Sequence, residues 1–227
     1  MIKIEKFEVL GWEHAIRGMR NPMNSWEKSD SGWEPQFDTV QGPVAGEFII
    51  GPNDYALMKN LRNAGTDHRK FMRMITVYLD ITAPLYFWKE FDTYKVGTVA
   101  NSCSTMHKIA AKEFTLDDFS HEHLFHNIND TEMWFDIDFL KVLDNTIFYL
   151  NKARELYLKT HDKKYWWQMI QLLPSSYNQK RTVMLNYEVL ANIYKSRRHH
   201  KLDCWHTLCD FIEELPYSEL ITGEEYE

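Results

Sequence analysis

The segment from Leu172 to Arg197, LLPSSYNQKRTVMLNYEVLANIYKSR, decides the fold prediction for this chain. A polar turn follows its first proline, and a β-branched run then leads to Asn186. Beyond that residue, Val189, Leu190 and Ile193 recur at helical spacing, so the pattern predicts a short strand followed by a helix. Amide and guanidinium groups gather around this junction. We therefore expect it to hold a polar, planar or anionic ligand.

Composition limits the classes of protein that the chain can belong to. With 227 residues, 44% of them apolar and 15% aromatic, it can bury a sizeable core as a single domain. The 26 lysines and arginines are outnumbered by 33 aspartates and glutamates, which argues against nucleic-acid binding through a basic surface. An anionic ligand would have to be bound by a few local cations.

Cysteine usage and hydropathy give an expectation for the compartment. Cys103, Cys204 and Cys209 are too few and too unevenly spaced for a disulfide framework. The first residues lack the apolar core of a signal peptide, and no stretch approaches the roughly 20 apolar residues of a membrane span. We expect a cytoplasmic protein that does not contact a membrane.

Periodicity predicts an α+β fold, an antiparallel sheet with long helices, as one domain over residues 1–227. The region 21–46, rich in proline, glycine and serine, predicts a loop or lid. The predicted elements are strands at Ile2–Leu10 and Met72–Thr82, a helix opened by Pro84, a long amphipathic helical pattern over Met133–Tyr157, and a last helix at Cys204–Leu215.

These residues resemble the flavin-dependent thymidylate synthases. The spacing typical of that family's C-terminal half is carried by Leu173-Pro174, Asn186, Leu190, Asn192 and Arg197. Upstream, His68 and Phe71 precede a strand and then Ala83-Pro84, as they do in the family. With one residue inserted, Lys95, Thr98, Asn101 and Ser104 match positions of its signature loop identically or conservatively.

The same loop departs from the family at several charged or aromatic positions. The two outer arginines of the signature are replaced by Thr93 and Met106, so bidentate anion donors are lost. The other departures are Tyr94 for histidine, Ser102 for glutamate, His107 for tyrosine, and Glu188 where the family usually has an arginine.

The resemblance implies transfer of a one-carbon unit from methylenetetrahydrofolate to C5 of dUMP, with reduction by NADPH through FAD. It also implies a homotetramer that binds a pyrimidine deoxynucleotide at subunit interfaces. Arg197 is the implied catalytic residue. The implied cofactor-binding residues are His68, Tyr94, Lys95, Asn101, Asn186, Asn192 and Lys201, and the implied substrate-binding residues are Lys95, Ser102, Ser104 and Arg197.

Each of these residues also has a simpler interpretation. Arg197 could be a solvated cation at a helix C-terminus, and Asn186 could be only an N-cap. Asn101, Ser102 and Ser104 could be turn residues, and His68 a surface histidine.

Alternative functions are also open. The same scaffold could act on another pyrimidine nucleotide, for example by hydroxymethylation, or bind flavin or nucleotide without catalysis. The histidines of His121-Glu122-His123 and His126, with Asp130 nearby, do not share one helix face, so we predict no metal site.

Overall fold

The computed structural model of the chain describes residues 2–38, 42–125 and 138–223. This part of the chain contains both helices and strands, with four short 3-10 turns. The helices are α1 (Trp12–Arg20), α2 (Pro52–Asn63), α3 (Leu85–Phe91), α4 (Thr105–Lys108), α5 (Phe139–Thr160), α6 (Lys163–Leu172), α7 (Tyr187–Arg197), α8 (Asp203–Glu213) and α9 (Glu219–Thr222).

The strands form two sheets. They are β1 (Lys3–Leu10), β2 (Gly32–Asp38), β3 (Gly42–Ile49), β4 (Thr76–Pro84), β5 (Val99–Ser102) and β6 (Asn178–Asn186). Four of them form a sheet in the order β1-β4-β6-β5, while β2 and β3 pair as a separate antiparallel hairpin. The predicted combination of an antiparallel sheet with long helices is confirmed.

The described residues group into two compact units. Unit 1 comprises residues 1–3, 81–93 and 101–182, and unit 2 comprises residues 4–80, 94–100 and 183–227. In unit 1, α5 and α6 pack around a buried apolar cluster. In unit 2, α7 is buried along most of its length and packs against α8 and α9. The single-domain assignment stays a prediction.

The region predicted as a loop or lid is largely ordered into secondary structure. Two 3-10 turns precede the β2–β3 hairpin, in which Trp33 lies opposite Phe48. Their rings pack edge to face with centroids 5.4 Å apart. Glycine and proline content favoured a loop, but this cross-strand aromatic pair supports a hairpin instead.

Other boundaries also differ from the sequence prediction. A 3-10 turn occupies Arg69–Met74, so β4 starts later than predicted, and α9 follows the helix that we expected to be the last. The long amphipathic pattern forms α5 from Phe139 onward. Residues 133–137 of the predicted pattern lie outside the described residues.

A buried carboxylate connects α1, α2 and the segment between them. Asp54 on α2 accepts hydrogen bonds from Arg20 Nε at 2.6 Å, Ser29 Oγ at 2.6 Å and Ser31 Oγ at 2.7 Å. Burial raises the pKa of Asp54, but the two hydroxyls and the guanidinium outweigh that effect and lower it. In addition, Asp30 accepts from the backbone N–H of Asp54, which caps the start of α2.

Within the described residues, no helix is long and apolar enough to cross a membrane.

Candidate functional site

The start of α7 is fixed by Asn186. This residue has extended backbone torsions, and its Oδ1 accepts a hydrogen bond from the Val189 N–H at 3.0 Å. An oxygen in this position satisfies one of the N–H groups that a helix leaves unpaired at its start. The structure therefore shows the N-cap that we considered as the simpler interpretation of Asn186, and ligand binding by its amide nitrogen stays a prediction.

The loop of residues 94–100 lies against this helix start. Gly97 has φ +80°, and a Cβ added to it would lie 3.0 Å from Asn186 Nδ2 and 3.1 Å from Val189 Cγ2. The loop fits closely onto the helix at this point, and both the positive φ and the close approach favour glycine there. In unit 2, residues 94–100 of the signature loop thus meet the helix start at Asn186, which belongs to the second motif.

At the other end of α7, Arg197 is held between two aromatic side chains. Its Nε donates a hydrogen bond to the Tyr94 hydroxyl at 3.0 Å, and its Cζ lies 4.7 Å from the centroid of the Trp205 ring. The half-buried guanidinium is therefore restricted in orientation, unlike a freely solvated helix-terminal cation. We call Tyr94, Arg197 and Trp205 the Arg197 cluster.

The first turn of α7 contains a buried ion pair. The Glu188 carboxylate lies 2.9 Å from Arg69 Nε and accepts a hydrogen bond from Arg69 Nη2 at 3.2 Å. A carboxylate near a helix N-terminus is stabilised by the helix dipole as well as by its partner. Glu188, which stands where the family usually has an arginine, thus supplies an anion at the start of α7.

The loop also contains a buried polar atom that no group of the described residues satisfies. Thr98 Oγ1 is buried and has no hydrogen-bond partner among the described residues. Buried hydroxyls are normally paired, so an unpaired one on this loop fits contact with a ligand. This observation is compatible with a bound flavin or nucleotide.

Three predicted residues belong to unit 1. Asn101 and Ser102 are exposed on β5. Ser104 is the N-cap of α4, where its Oγ accepts a hydrogen bond from the His107 N–H at 3.1 Å. The structure thus supports a local structural role for Ser104, while substrate contact by all three residues stays a prediction.

Ser104 also lines a cleft of about 490 Å³ in unit 1. Lys108, Lys112 and Lys180 line the same cleft, together with Asp117 and Asp118. Lys112 pairs with Asp118, and this hydrogen bond, which outweighs the opposite effect of burial, raises the pKa of the lysine. The cleft therefore carries ammonium groups close to a residue of the signature loop.

The remaining predicted residues are exposed side chains of unit 2. They are His68, Lys95, Asn192 and Lys201. Among the described residues, none of these four contacts the Arg197 cluster. Of the residues predicted in this unit, Tyr94 contacts Arg197 directly, and Asn186 lies against the same loop. Contact of the four exposed residues with a cofactor stays a prediction.

Sequence reasoning missed Trp205. The tryptophan lies near the start of α8, is fully buried, and packs on Arg197 and against Tyr94. The available signal was an aromatic residue shortly after a basic cluster, but such a residue is usually part of a core.

The Cys209 thiol is not activated, and the described residues contain no cluster of metal ligands. Burial, reinforced by the charge of Asp210, raises the pKa of Cys209 to about 11, so this thiol stays protonated near neutral pH. No group of three or more metal-ligating side chains occurs within the described residues. His126 and Asp130 of the weighed histidine cluster lie outside them.

Comparison with solved structures reveals the fold. Thymidylate synthase X from Helicobacter pylori, solved with FAD and dUMP, aligns over 98% of both chains with a TM-score of 0.66 and 16% identity. The UMP/dUMP methylase PolB from Streptomyces cacaoi, bound with 5-Br UMP, aligns over 94% of this chain and 87% of its own, with a TM-score of 0.56 and 12% identity. By sequence, no family model and no curated protein matches. The chain therefore has the fold of the flavin-dependent thymidylate synthases.

Proposed function

We propose that the protein is a flavin-dependent methyltransferase that transfers a one-carbon unit from methylenetetrahydrofolate to C5 of dUMP. One observation carries the proposal: the loop of residues 94–100 lies against both ends of α7, through Gly97 at Asn186 and through Tyr94 at Arg197. These are the segments in which the sequence resembles the family. The likeness in fold to two pyrimidine nucleotide methylating proteins supports the same class of substrate.

Arg197 is the proposed catalytic residue. Its guanidinium can donate hydrogen bonds to a pyrimidine carbonyl and stabilise the negative charge that develops there when C5 becomes nucleophilic. Because Tyr94 and Trp205 restrict the guanidinium beforehand, little reorganisation is needed during the reaction. No nucleophilic cysteine is needed in this scheme.

FAD is the proposed cofactor, with NADPH as the reductant. When bound, the flavin would supply the redox chemistry. The protein would contribute hydrogen-bond donors and charge: Thr98 Oγ1 is an unpaired hydroxyl on the loop, and His68, Asn192 and Lys201 are exposed in the same unit. Tyr94 is proposed to contact the cofactor through its ring, and Asn186 through its amide nitrogen, since the Tyr94 hydroxyl and Asn186 Oδ1 already form hydrogen bonds. Asn101 is proposed to contact it through its side-chain amide.

The nucleotide phosphate needs cations, since the signature loop has lost its outer arginines. Lys95, Ser102 and Ser104 are the proposed phosphate ligands within the loop. The cleft beside Ser104 in unit 1 is lined by three lysines and two aspartates, one of which pairs with Lys112, so its lining carries one net positive charge. An ammonium group is a weaker geometric match for phosphate than a guanidinium, so we expect weaker nucleotide binding than an arginine would give.

A second candidate substrate follows from the structural comparison. PolB is described as a UMP/dUMP methylase, so this fold accommodates ribonucleotide and deoxyribonucleotide substrates in different proteins. With an altered signature loop, UMP is therefore the first alternative to test. Hydroxymethylation and binding without catalysis are further outcomes of the same assay.

We also propose a cytoplasmic homotetramer. Several apolar side chains of the unit 1 helices are exposed, which leaves an apolar surface available for another subunit. They include Phe139, Val142, Phe148 and Tyr149 on α5 and Trp167 on α6.

The first experiment is the absorbance spectrum of the purified protein. Bound flavin gives an absorbance band at about 450 nm. Binding can also be measured by titrating the protein with FAD. Colourless protein that does not bind FAD would overturn the flavin proposal. Release of label from the C5 position of dUMP or UMP, with folate and NADPH present, then identifies the substrate.

Arg197→Ala tests the catalytic assignment. We expect flavin binding to be retained and turnover to fall by about 100-fold or more, since one essential donor to a developing oxyanion is worth that much. Arg198→Ala is the matched control because Arg198 pairs with Glu213 outside the cluster. If both variants retain full turnover, Arg197 is not catalytic.

A further inference from the structure

Unit 2 contains a cleft of about 740 Å³ that the proposed reaction does not use. One side is formed by the end of β1 and the start of α1, and the other by the β2–β3 hairpin and Tyr217. Its walls carry the rings of Phe7, Trp12, Trp33, Phe48 and Tyr217, and we call it the aromatic cleft.

Four of the five rings form two edge-to-face pairs within the cleft. Trp12 packs on Tyr217 with centroids 5.2 Å apart, and Trp33 packs on Phe48 with centroids 5.4 Å apart. Trp33 remains 62% exposed, so most of its indole is accessible to a ligand. Its Nε1 donates a hydrogen bond to Glu13 Oε2 at 3.1 Å, which fixes the ring relative to α1.

The charge of the aromatic cleft is one-sided. Glu8, Glu13 and Glu47 line it together with His14, and none of the described residues that line it is a lysine or arginine. Arg17, one turn along α1 from Glu13, lines a neighbouring cleft that shares Glu13, Trp33 and Phe48 with the aromatic cleft. Anionic ligands such as nucleotides are therefore disfavoured here.

We propose that the aromatic cleft binds a small organic cation of the alkylammonium class. The faces of tryptophan and tyrosine rings attract cations, and methyl or methylene groups around the nitrogen bury apolar area against them. Carboxylates beside the rings add long-range attraction for positive charge. The volume of the cleft exceeds what a single ion needs and suits a cation with an apolar body.

Calorimetric titration with choline tests the proposal on the full chain. At about pH 8, where histidine is neutral, we expect a dissociation constant on the order of 1 mM. The uncharged carbon analogue 3,3-dimethylbutan-1-ol has the same shape and should bind at least about tenfold more weakly. Equal binding of the two compounds would show an apolar cleft without cation selectivity and would overturn the proposal.

Two substitutions locate the site. Trp33→Leu removes the exposed ring, and Glu13→Gln removes one charge while keeping an oxygen that can accept from the Trp33 indole. We expect choline to bind about tenfold and about threefold more weakly, respectively. Trp167→Leu and Glu214→Gln are matched controls of exposed residues outside the cleft and should leave the affinity unchanged.

Three results would contradict the assignment. Choline that fails to bind at all up to about 20 mM, about twenty times the expected dissociation constant, would exclude this ligand class. Unchanged affinity in both cleft variants would place the binding site elsewhere. Selective binding of a lysine- or arginine-containing peptide, without binding of choline, would replace a small-molecule site with a protein-binding surface.

Discussion

Arg197 is oriented by residues that lie in different parts of the sequence. Tyr94 comes from the loop before β5, whereas Trp205 comes from the helix after α7. Tyr94 stands where the resembling family has a histidine, yet its hydroxyl provides an acceptor for the guanidinium. The departure at this position therefore retains a polar contact.

Tyr94→Phe tests whether this hydrogen bond matters for catalysis. The ring is retained and only the acceptor for Arg197 Nε is lost, so we expect turnover to fall by about tenfold with flavin content unchanged. Steady-state kinetics of dUMP methylation would measure it. Tyr194, on the same helix as Arg197, donates its hydroxyl to Glu213 on α8, and Tyr194→Phe should not reduce turnover. An equal loss in both variants would indicate a general structural effect.

Asp54 leads to a prediction about the pH dependence of stability. Because its pKa is lowered in the folded protein, its contribution to the free energy of unfolding is present above the unfolded value of about 3.9. That contribution is lost as the pH falls through the folded pKa. At pH 7, Asp54→Asn leaves Arg20 without its buried charge partner, so we expect a loss of about 3 kcal/mol.

Urea unfolding at several pH values measures this effect. The difference between wild type and Asp54→Asn should shrink as the pH is lowered below about 4, because Asp54 of the unfolded chain is protonated first while the folded carboxylate still resists protonation. Asp67→Asn changes an exposed carboxylate and should have little effect at any pH. A stability difference that does not vary with pH would contradict the assigned role of the charge.

At the scale of elements, the fit between loop and helix is the feature that can be tested most directly. Gly97→Ala places a Cβ against Asn186 and Val189 in a backbone conformation with φ +80°. Gly65 has φ +105° but no atom within 4 Å of an added Cβ. The two substitutions thus share the backbone penalty and differ in the contact.

We expect Gly97→Ala to lower the free energy of unfolding by about 1 kcal/mol more than Gly65→Ala does. Chemical denaturation of both variants measures the difference. The same displacement should weaken flavin binding in Gly97→Ala alone. Equal stability and equal flavin binding would show that the loop does not need to contact α7 closely.

Local signals predicted the elements that carry them within a few residues. The helix α7 was predictable because its N-cap asparagine and its helically spaced apolar residues lie close together in the sequence. The β2–β3 hairpin was not, since its pairing depends on Trp33 lying opposite Phe48 on the facing strand. The same reason explains Trp205, whose contact with Arg197 arises from the packing of α8 and not from any local pattern.

At the scale of the whole molecule, assembly is the principal open prediction. A tetramer would have a mass of about four times 27.2 kDa, which light scattering after gel filtration measures directly. Val142, 64% exposed on α5, is proposed to lie in an interface, so Val142→Glu should dissociate the assembly. Met23, 81% exposed in unit 2, gives the matched control Met23→Glu. A monomeric wild-type protein would contradict the prediction.

The ion pair between Glu188 and Arg69 constrains any attempt to restore a family-like sequence. Placing arginine at position 188 alone would bury a second guanidinium against Arg69, which lies 119 residues away in sequence. The two guanidinium groups would repel each other in this half-buried position. The start of α7 would also lose the anion that its dipole favours. Positions 69 and 188 therefore have to be substituted together. A chimaera that takes only its C-terminal half from a relative would change one of them without the other.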